Sequence, residues 1–175
     1  MRVKPTGIDG LFIVEHERNH DERGSFERIY CKNEFLRLGL VVDYPQISIS
    51  SNTKKGTLRG IHYQKYPNEE VKLVTCLSGK IFDIVVDLRP NSPTFKDWHA
   101  EILSFGNGKS LYVPNGCAHG FLTLVDKSDV LYQISAVYDA NSATGVRWND
   151  PAFSIKWPLI PGVISERDNN FPYII

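Results

Sequence analysis

The sequence lacks three features that would each point to a particular class of protein. None of its apolar runs approaches the roughly 18 residues of a membrane-spanning helix, and no apolar stretch typical of a secretory leader follows the N-terminus. Lysine plus arginine number 20 and aspartate plus glutamate number 20, so the formal net charge is zero. A neutral chain offers no overall basic field to nucleic acid or to an anionic membrane. We therefore expect neither of these partners.

Cysteine is also scarce, and its spacing argues against a disulfide framework. Cys31, Cys76 and Cys117 are odd in number, lie far apart and form no CxxC pair. Such cysteines are typical of reduced thiols in a cytoplasmic protein. The chain also lacks a glycine-rich dinucleotide-binding loop, so we expect no nicotinamide cofactor.

Aromatic and β-branched residues are plentiful, with turn residues between them at intervals of about ten residues, which is typical of an all-β sandwich, barrel or jelly roll. The length of 175 residues suits one domain, residues 1–175. A single convincing helix is predicted over residues 32–38, because Gly39 follows it where a terminating glycine belongs. Strands are predicted over residues 11–15, 26–30, 46–51, 57–64, 71–77, 80–88, 98–103, 110–113, 120–125 and 130–137.

Three connections carry further expectations. Residues 71–77 and 80–88 flank Ser78 and Gly79, which predicts a hairpin. Residues 16–24 are polar and predict a loop. The last 30 residues contain four prolines, so we expect them to wrap the barrel rather than to add a central strand.

Two histidines lie among glycine, proline and β-forming residues. His62 lies in residues 57–64, which read TLRGIHYQ, and His119 lies in residues 112–122, which read YVPNGCAHGFL. A neutral imidazole can take a proton, give one or hold a metal. Strict alternation puts His62 and Arg59 on opposite faces of the strand. A bend at Gly60 could still bring Arg59 into the same cavity, where its guanidinium could bind phosphate.

The histidines also allow a metal site as an alternative. The spacing of Gly108, Pro114, Gly116 and His119 matches the second half of a cupin signature, whose first half in metal-binding members supplies an HxH pair and a glutamate. Here the pair reads His62-Tyr63-Gln64, so one ligand is missing. Two histidines and a carboxylate could still hold iron or another divalent ion, with Glu69 or Glu70 as the third ligand. The missing histidine makes metal the less favoured interpretation.

Several other polar residues lie on predicted strands or near the C-terminus. Lys72 could aim a cation into the barrel and hold a developing oxyanion. Asp83 and Asp87 share one strand face, and a buried aspartate requires a partner, which for Asp83 could be a histidine. Tyr132, Tyr138 and Asp168 show no functional signal by themselves.

Together these motifs resemble the dTDP-4-dehydrorhamnose 3,5-epimerase family along nearly the whole chain. The resemblance rests on residues 21–24, 55–64, 72–74, 82–89, 92–95, 114–121, 148–151 and 165–168. It implies a cupin-type jelly roll with a few short helices and a cofactor-free epimerase acting on a nucleotide-diphosphate-linked 4-keto-6-deoxy sugar in deoxysugar biosynthesis. It also implies a homodimer with exchanged N-terminal strands. A 3,4-ketoisomerase on the same scaffold remains an alternative.

The resemblance also implies roles for particular residues. Six residues would be catalytic. His62 would be the general base, oriented by Asp168. Lys72 would stabilise the enolate oxygen, and His119 paired with Asp83 would shape and polarise the pocket. Tyr132 would be the acid on the opposite face of the sugar. The substrate-binding residues would be Arg59 at the diphosphate, Tyr138 near the nucleotide, Gln46 in a ligand-facing strand, and Arg23 and Phe26 reaching the nucleotide from the neighbouring subunit.

The chain departs from the family pattern in two places. Where family members commonly have a glutamate that contacts thymine, this chain has Arg28 after Glu27, so the nucleotide could be CDP rather than dTDP, because arginine can donate to cytosine. Alternatively, Glu27 takes the glutamate's role and Arg28 faces solvent. In residues 46–50, which read QISIS, apolar side chains replace part of a polar set, which suggests a more deoxygenated sugar.

Overall fold

The computed structural model describes residues 1–174, so the predicted domain end at residue 175 lies outside the described residues. The described chain is predominantly β-structure. The strands are Arg2–Pro5 (β1), Phe12–Glu15 (β2), Arg18–Asp21 (β3), Gly24–Glu27 (β4), Gln46–Asn52 (β5), Leu58–Gln64 (β6), Lys72–Ser78 (β7), Lys80–Asp87 (β8), Trp98–Ser104 (β9), Lys109–Val113 (β10), Cys117–Thr123 (β11), Ser128–Ile134 (β12) and Ala143–Gly145 (β13), and the helices are Lys32–Arg37 (α1) and Glu166–Asn169 (α2).

Two antiparallel sheets pack against each other, which confirms the predicted all-β jelly roll. One sheet has the order β1-β2-β10-β7-β12-β5, and the other has the order β13-β6-β11-β8-β9. Their facing side chains form the main core, as Val74 and Leu111 of the first sheet pack with Val85 and Phe121 of the second. Burial of such large apolar side chains is the dominant favourable contribution to folding.

The predicted hairpin over residues 71–88 is wrong. Strands β7 and β8 follow each other directly, but β7 lies in the six-stranded sheet and β8 in the five-stranded sheet. Gly79 makes the sharp corner between the sheets with φ of 74°, and a Cβ there would lie 2.9 Å from the Cα of Ser128. Ser78 and Gly79 do form a turn, as predicted, but strands that are consecutive in the chain of a sandwich can also belong to opposite sheets.

The predicted loop over residues 16–24 is also wrong, because it contains β3, which pairs with β4 in a separate two-stranded hairpin. We call this hairpin, Arg18–Glu27, the arm. Its residues are largely exposed, and exposed strands lack the apolar alternation on which strand prediction depends. The edge strand β1 is largely exposed as well and lies outside the predicted strands, as does β13, which has only three residues.

The predicted helix is confirmed as α1, which buries Phe35 against the outer face of the six-stranded sheet. The C-terminal segment wraps the barrel as expected. Phe153 and Trp157 cover the outer face of the five-stranded sheet, where they form one apolar cluster with Ile61 and Val86 of that sheet. Within residues 1–174 no helix is long and apolar enough to cross a membrane.

Candidate active site

A β-bulge at Gly60 determines which side chains of β6 reach the space between the sheets. His62 pairs with His119 across β6 and β11, but Arg59 pairs with Phe121, so β6 has one extra residue in this interval. An extra residue breaks the alternation of faces. Arg59 and His62 consequently line the same cavity, as the sequence analysis allowed.

Glycine is required at this bulge. Gly60 has φ of 116°, and a Cβ there would lie 2.6 Å from the Cα of Gly120 and 2.8 Å from the carbonyl oxygen of His119. The amide of Gly60 donates to Oδ2 of Asp168 at 2.9 Å. The bulge therefore also fixes the carboxylate that contacts His62.

His62 forms a close pair with Asp168. Its Nε2 lies 2.7 Å from Oδ1 of Asp168, which is only 4% exposed. Burial alone would raise the pKa of Asp168, but hydrogen bonds from His62 and the Gly60 amide hold it below its ordinary value. An ionised carboxylate at this distance keeps the proton on Nε2 and leaves the Nδ1 lone pair free. The His62 side chain is 38% exposed, so this imidazole is open to the cavity.

Asp168 is positioned by the chain segment that follows the barrel. The hydroxyl of Ser165 accepts from the amide of Asp168 at 3.1 Å and caps the short helix α2. The ring of Phe171 lies edge-on to His62, with 5.8 Å between centroids. Sequence reasoning missed Phe171, because a single aromatic in a proline-containing tail carries no local signal.

His119 forms a second, closed pair. Its Nε2 lies 2.8 Å from Oδ1 of Asp83, as expected from the sequence, and both residues are almost inaccessible. Burial raises the pKa of Asp83, although the neighbouring His119 and Lys72 oppose this. The His119 ring packs edge-on against Tyr132, with 5.6 Å between centroids. This pair supports the tyrosine from behind.

Tyr132 enters the cavity from the sheet opposite His62, since β12 and β6 belong to different sheets. Burial raises the pKa of Tyr132 well above its ordinary value, and the charge of Asp83 acts in the same direction. The phenol therefore keeps its proton at neutral pH. A protonated phenol on one wall and an imidazole with a free lone pair on the other can act as an acid and a base on one bound molecule.

Lys72 supplies a buried cation between these walls. Its Nζ donates to the carbonyl oxygen of His62 at 3.2 Å and lies 2.8 Å from Oε1 of Glu70. Glu70 lines the cavity as well. The carboxylate of Glu70, a candidate ligand in the metal alternative, is paired with Lys72.

The cavity has a volume of about 660 Å³, which lies within the range of small-molecule sites. Arg59 lines it and donates from Nε to Oδ1 of Asn52 at 2.7 Å, which orients the guanidinium. The predicted residues that the structure brings together here are Gln46, Arg59, His62, Lys72, His119, Tyr132, Tyr138 and Asp168.

Strand β5 forms a mixed wall of the cavity. Gln46, Ser48 and Ser50 all line the cavity, whereas Ile47 does not. Ile49 does line it, so one of the two apolar side chains of this stretch borders the bound molecule's space. A more deoxygenated sugar stays a prediction.

Three predicted binding residues do not reach the cavity of their own chain. Arg23, Phe26 and Arg28 lie on or next to the arm, and Phe26 is 70% exposed. Glu27 is bound to His16, with Oε1 and Nδ1 3.0 Å apart. Arg28 lies mainly in solvent and its guanidinium is 3.7 Å from Glu34. A contact between the arm and a neighbouring subunit stays a prediction.

The metal site that the alternative interpretation required does not form. In the part of the chain that the structure describes, no three His, Cys, Asp or Glu residues are grouped so that they could hold a metal ion. His62 and His119 are opposite each other in register, but each Nε2 is bonded to its own aspartate.

An imidazole held by a carboxylate and a phenol that keeps its proton, on opposite walls of a jelly roll, are typical of enzymes that transfer protons. The chain belongs to the dTDP-4-dehydrorhamnose 3,5-epimerase family, whose model matches residues 5–174. It is therefore an isomerase.

Known proteins agree with this assignment over nearly the full length. The dTDP-4-dehydrorhamnose 3,5-epimerase of Shigella flexneri is 37% identical over 171 residues, covering 97% of this chain and 94% of its own. The crystal structure of the Bacillus anthracis enzyme with TDP and PPi bound superposes with a TM-score of 0.96 at 38% identity and covers 99% of both chains. A 3'-monoepimerase from Streptomyces bikiniensis, in complex with dTDP-quinovose, superposes with a TM-score of 0.91 at 30% identity, covering 97% of this chain and 86% of its own.

Proposed function

We propose that this protein inverts carbon 3, carbon 5 or both in a dTDP-linked 4-keto-6-deoxyhexose, by proton transfer between side chains and without a cofactor. The observation that carries the proposal is the position of His62 and Tyr132 on opposite walls of one cavity. Inversion requires removal of a proton from one face of the carbon and delivery of a proton to the other face. A site that only binds a sugar needs no such pair.

His62 acts as the base. A hydrogen next to a ketone becomes removable when the resulting enolate is stabilised, and the free Nδ1 of His62 is the acceptor. Asp168 holds the ring in the required tautomer and balances the charge that the imidazole gains. Asp168 touches no reacting atom in this scheme and is a positioning residue.

Lys72 stabilises the enolate. Its ammonium group lies between the two walls, next to the backbone of His62. A cation preorganised beside the sugar's 4-keto oxygen lowers the energy of the negative charge that develops there.

Tyr132 completes the inversion by giving its proton to the carbanionic carbon from the face opposite His62. The half-buried ring packs on His119, which is held in turn by Asp83. The raised pKa of Tyr132 keeps it protonated until the enolate forms. His119 and Asp83 thus position the acid.

The nucleotide part is bound by Arg59 at the diphosphate and by Tyr138 and Gln46 at the mouth of the cavity. Relatives with TDP or dTDP-sugar ligands support thymidine as the nucleoside. Arg28 makes CDP the competitor, because the Glu27 carboxylate is engaged by His16 while Arg28 has only a long contact to Glu34. Calorimetric titration with dTDP and CDP distinguishes the two, and a clear preference for CDP would overturn the thymidine assignment.

The protein acts as a homodimer in which the arm of one subunit brings Arg23 and Phe26 to the site of the other. Two exposed apolar features support this. The edge strand β5 presents Ile47 and Ile49, 64% and 61% exposed, and the arm presents Phe26. Edge strands of this kind tend to be covered in an assembly.

Free thiols at all three cysteines support a reducing, cytoplasmic environment.

The decisive experiment is incubation of the nucleotide sugar with the enzyme in deuterium oxide, followed by NMR. Incorporation of deuterium at carbon 3 or 5 with inversion supports the proposal and reports which carbons react. Movement of the carbonyl without inversion would indicate a 3,4-ketoisomerase. Activity that is lost on chelation and restored by a metal ion found in the purified protein would indicate the metal-dependent alternative.

A further inference from the structure

Gln64 occupies the place where the metal-binding signature would have its second histidine, and the structure gives this buried amide a different task. It is 3% exposed and lies at the end of β6, two residues beyond His62. Its Nε2 donates to the carbonyl oxygen of Asn68 at 2.9 Å and to that of Val137 at 3.4 Å. Its Oε1 accepts from the amide of Asp139 at 2.7 Å. All hydrogens of the side-chain amide are therefore used.

The bonds of Gln64 hold a segment that follows the strand of Tyr132. Val137 and Asp139 are bonded to Gln64, and the residue between them, Tyr138, donates its amide to Oε1 of Gln46 at 2.5 Å. Three consecutive residues are thus fixed by two glutamine side chains from different strands. Asn68 adds a further tie, as its Nδ2 donates to Oδ2 of Asp139 at 2.6 Å.

The side chain of Tyr138 contrasts with its tightly held backbone. It is 58% exposed and lines the mouth of the cavity. A rigid backbone that carries an exposed aromatic ring is suited to binding, because a ligand then stacks on the ring without having to order the segment first.

We propose that Gln64 is a positioning residue that sets the place of Tyr138 at the cavity mouth and thereby controls the affinity for the nucleotide sugar. The assignment rests on the proposed function for the identity of the ligand. Gln64 borders the cavity, but its amide is fully engaged by backbone groups. It touches none of the groups that move protons, so its removal weakens binding and leaves the chemical step in place. A histidine at this position could not replace it, since a neutral imidazole offers one donor and one acceptor.

The first test needs no substrate. Hydrogen exchange of the free protein is compared between wild type and Gln64→Met, which keeps the volume but removes all three bonds. We expect faster exchange in residues 137–142 and unchanged exchange in β11. Gln133→Met is the matched control, because Gln133 is a buried amide on the opposite face of β12 from Tyr132. Unchanged exchange at residues 137–142 in Gln64→Met would overturn the proposal.

The second test uses kinetics. We expect Gln64→Met to raise KM about fivefold and to leave kcat within about twofold, in line with the loss of a few hydrogen bonds. Tyr138→Ala should raise KM about tenfold, as expected for a lost stacking partner. In the double variant the two effects should not add, because Gln64 acts only through Tyr138. Additive effects on KM, or a fall in kcat alone, would contradict the proposal.

The two tests separate this inference from the proposed function. If the wild type neither exchanges sugar hydrogen for deuterium nor inverts the sugar, the proposed function fails. Calorimetry still shows in that case whether the effects of Gln64→Met and Tyr138→Ala on dTDP affinity are non-additive. If Gln64→Met does not fold, Gln64→Glu serves instead, because it retains the acceptor for Asp139 and loses both donors. Unchanged dTDP affinity and exchange in that variant would overturn the inference.

Discussion

His62 and His119 face each other across adjacent strands, yet each imidazole is bonded through Nε2 to a different aspartate. His62 is open to the cavity, whereas His119 is closed and packs behind Tyr132. In the proposed mechanism the two histidines therefore have different tasks. His62 takes a proton from the substrate, and His119 holds the tyrosine that returns one.

Tyr132→Phe should separate exchange from inversion. Without the phenol proton, inversion should fall by about 10²- to 10⁴-fold, because general acid catalysis contributes on this order. Deuterium exchange on the His62 side should continue, since the base and Lys72 remain. Proton NMR in deuterium oxide measures both processes. Retained inversion in the variant would remove Tyr132 from the mechanism.

Asp168→Asn should lower kcat by about 10²-fold or more while KM changes little, because an amide facing Nε2 no longer fixes the required tautomer of His62. Steady-state kinetics measures this split. Asp97→Asn, an exposed aspartate on the loop before β9, is the matched control and should behave like the wild type. Equal losses in both variants would show that the effect of Asp168→Asn is not specific to the site.

Gly60→Ala should destabilise the protein by about 2–4 kcal/mol, because the new Cβ meets the backbone of β11 at a positive φ. Loss of the bulge should also move Arg59 and Asp168 relative to His62, so activity should fall in the variant that remains folded. Gly162→Ala is the control, since a Cβ there meets nothing within 4 Å. Urea denaturation measures both free energies of unfolding, and similar values would contradict the role given to the bulge.

The bulge also shows where sequence reasoning stops. Alternation within residues 57–64 correctly predicts a strand, but it puts Arg59 and His62 on opposite faces. The extra residue becomes visible only in the pairing of β6 with β11. Likewise, no local pattern places Asp168 beside His62, because the two residues lie 106 positions apart and most of the barrel lies between them in the chain. Their proximity was expected only from the family resemblance.

Other parts were accessible because their signals are local. The helix after Cys31 ends at Arg37, two residues before Gly39, and Asp83 on an apolar strand needs a partner, which His119 provides. The assignment of β7 and β8 to different sheets was not accessible, because the turn residues at a corner and in a hairpin are alike. The predicted strand over residues 26–30 overlaps β4 of the arm only at Phe26 and Glu27, and β3 lies in a predicted loop, because its exposed residues carry no apolar alternation.

Acid should lower the stability of the folded protein through Asp87, whose carboxyl holds the loop after β8. Burial by itself raises the pKa of this carboxyl, but hydrogen bonds from Arg89, Ser92 and Thr94 together hold it well below its ordinary value. A carboxyl whose pKa is lower in the folded than in the unfolded state stabilises the fold at pH values above its unfolded-state pKa, which is about 4. This stability is lost as the pH falls below that value. Asp87→Asn should therefore cost about 2–4 kcal/mol at pH 7. The gap between the variant and the wild type should narrow below pH about 4, as measured by denaturant unfolding across pH. A gap independent of pH would contradict this account.

Mixing two inactive variants should restore activity if the arm completes the neighbouring site. His62→Asn removes the base but leaves the arm intact, whereas Phe26→Asp with Arg23→Glu disables the arm but leaves the base. In a mixed dimer the intact arm of the first chain meets the intact base of the second, so one site of two is complete. Random exchange of equal amounts forms mixed dimers in half of the cases, so about a quarter of the wild-type activity should return, as follows from twofold symmetry. The unmixed variants should stay inactive, and so should a mixture of either variant with a chain that carries all of the changes. No recovery after verified subunit exchange would mean that the arm serves its own chain or no site at all.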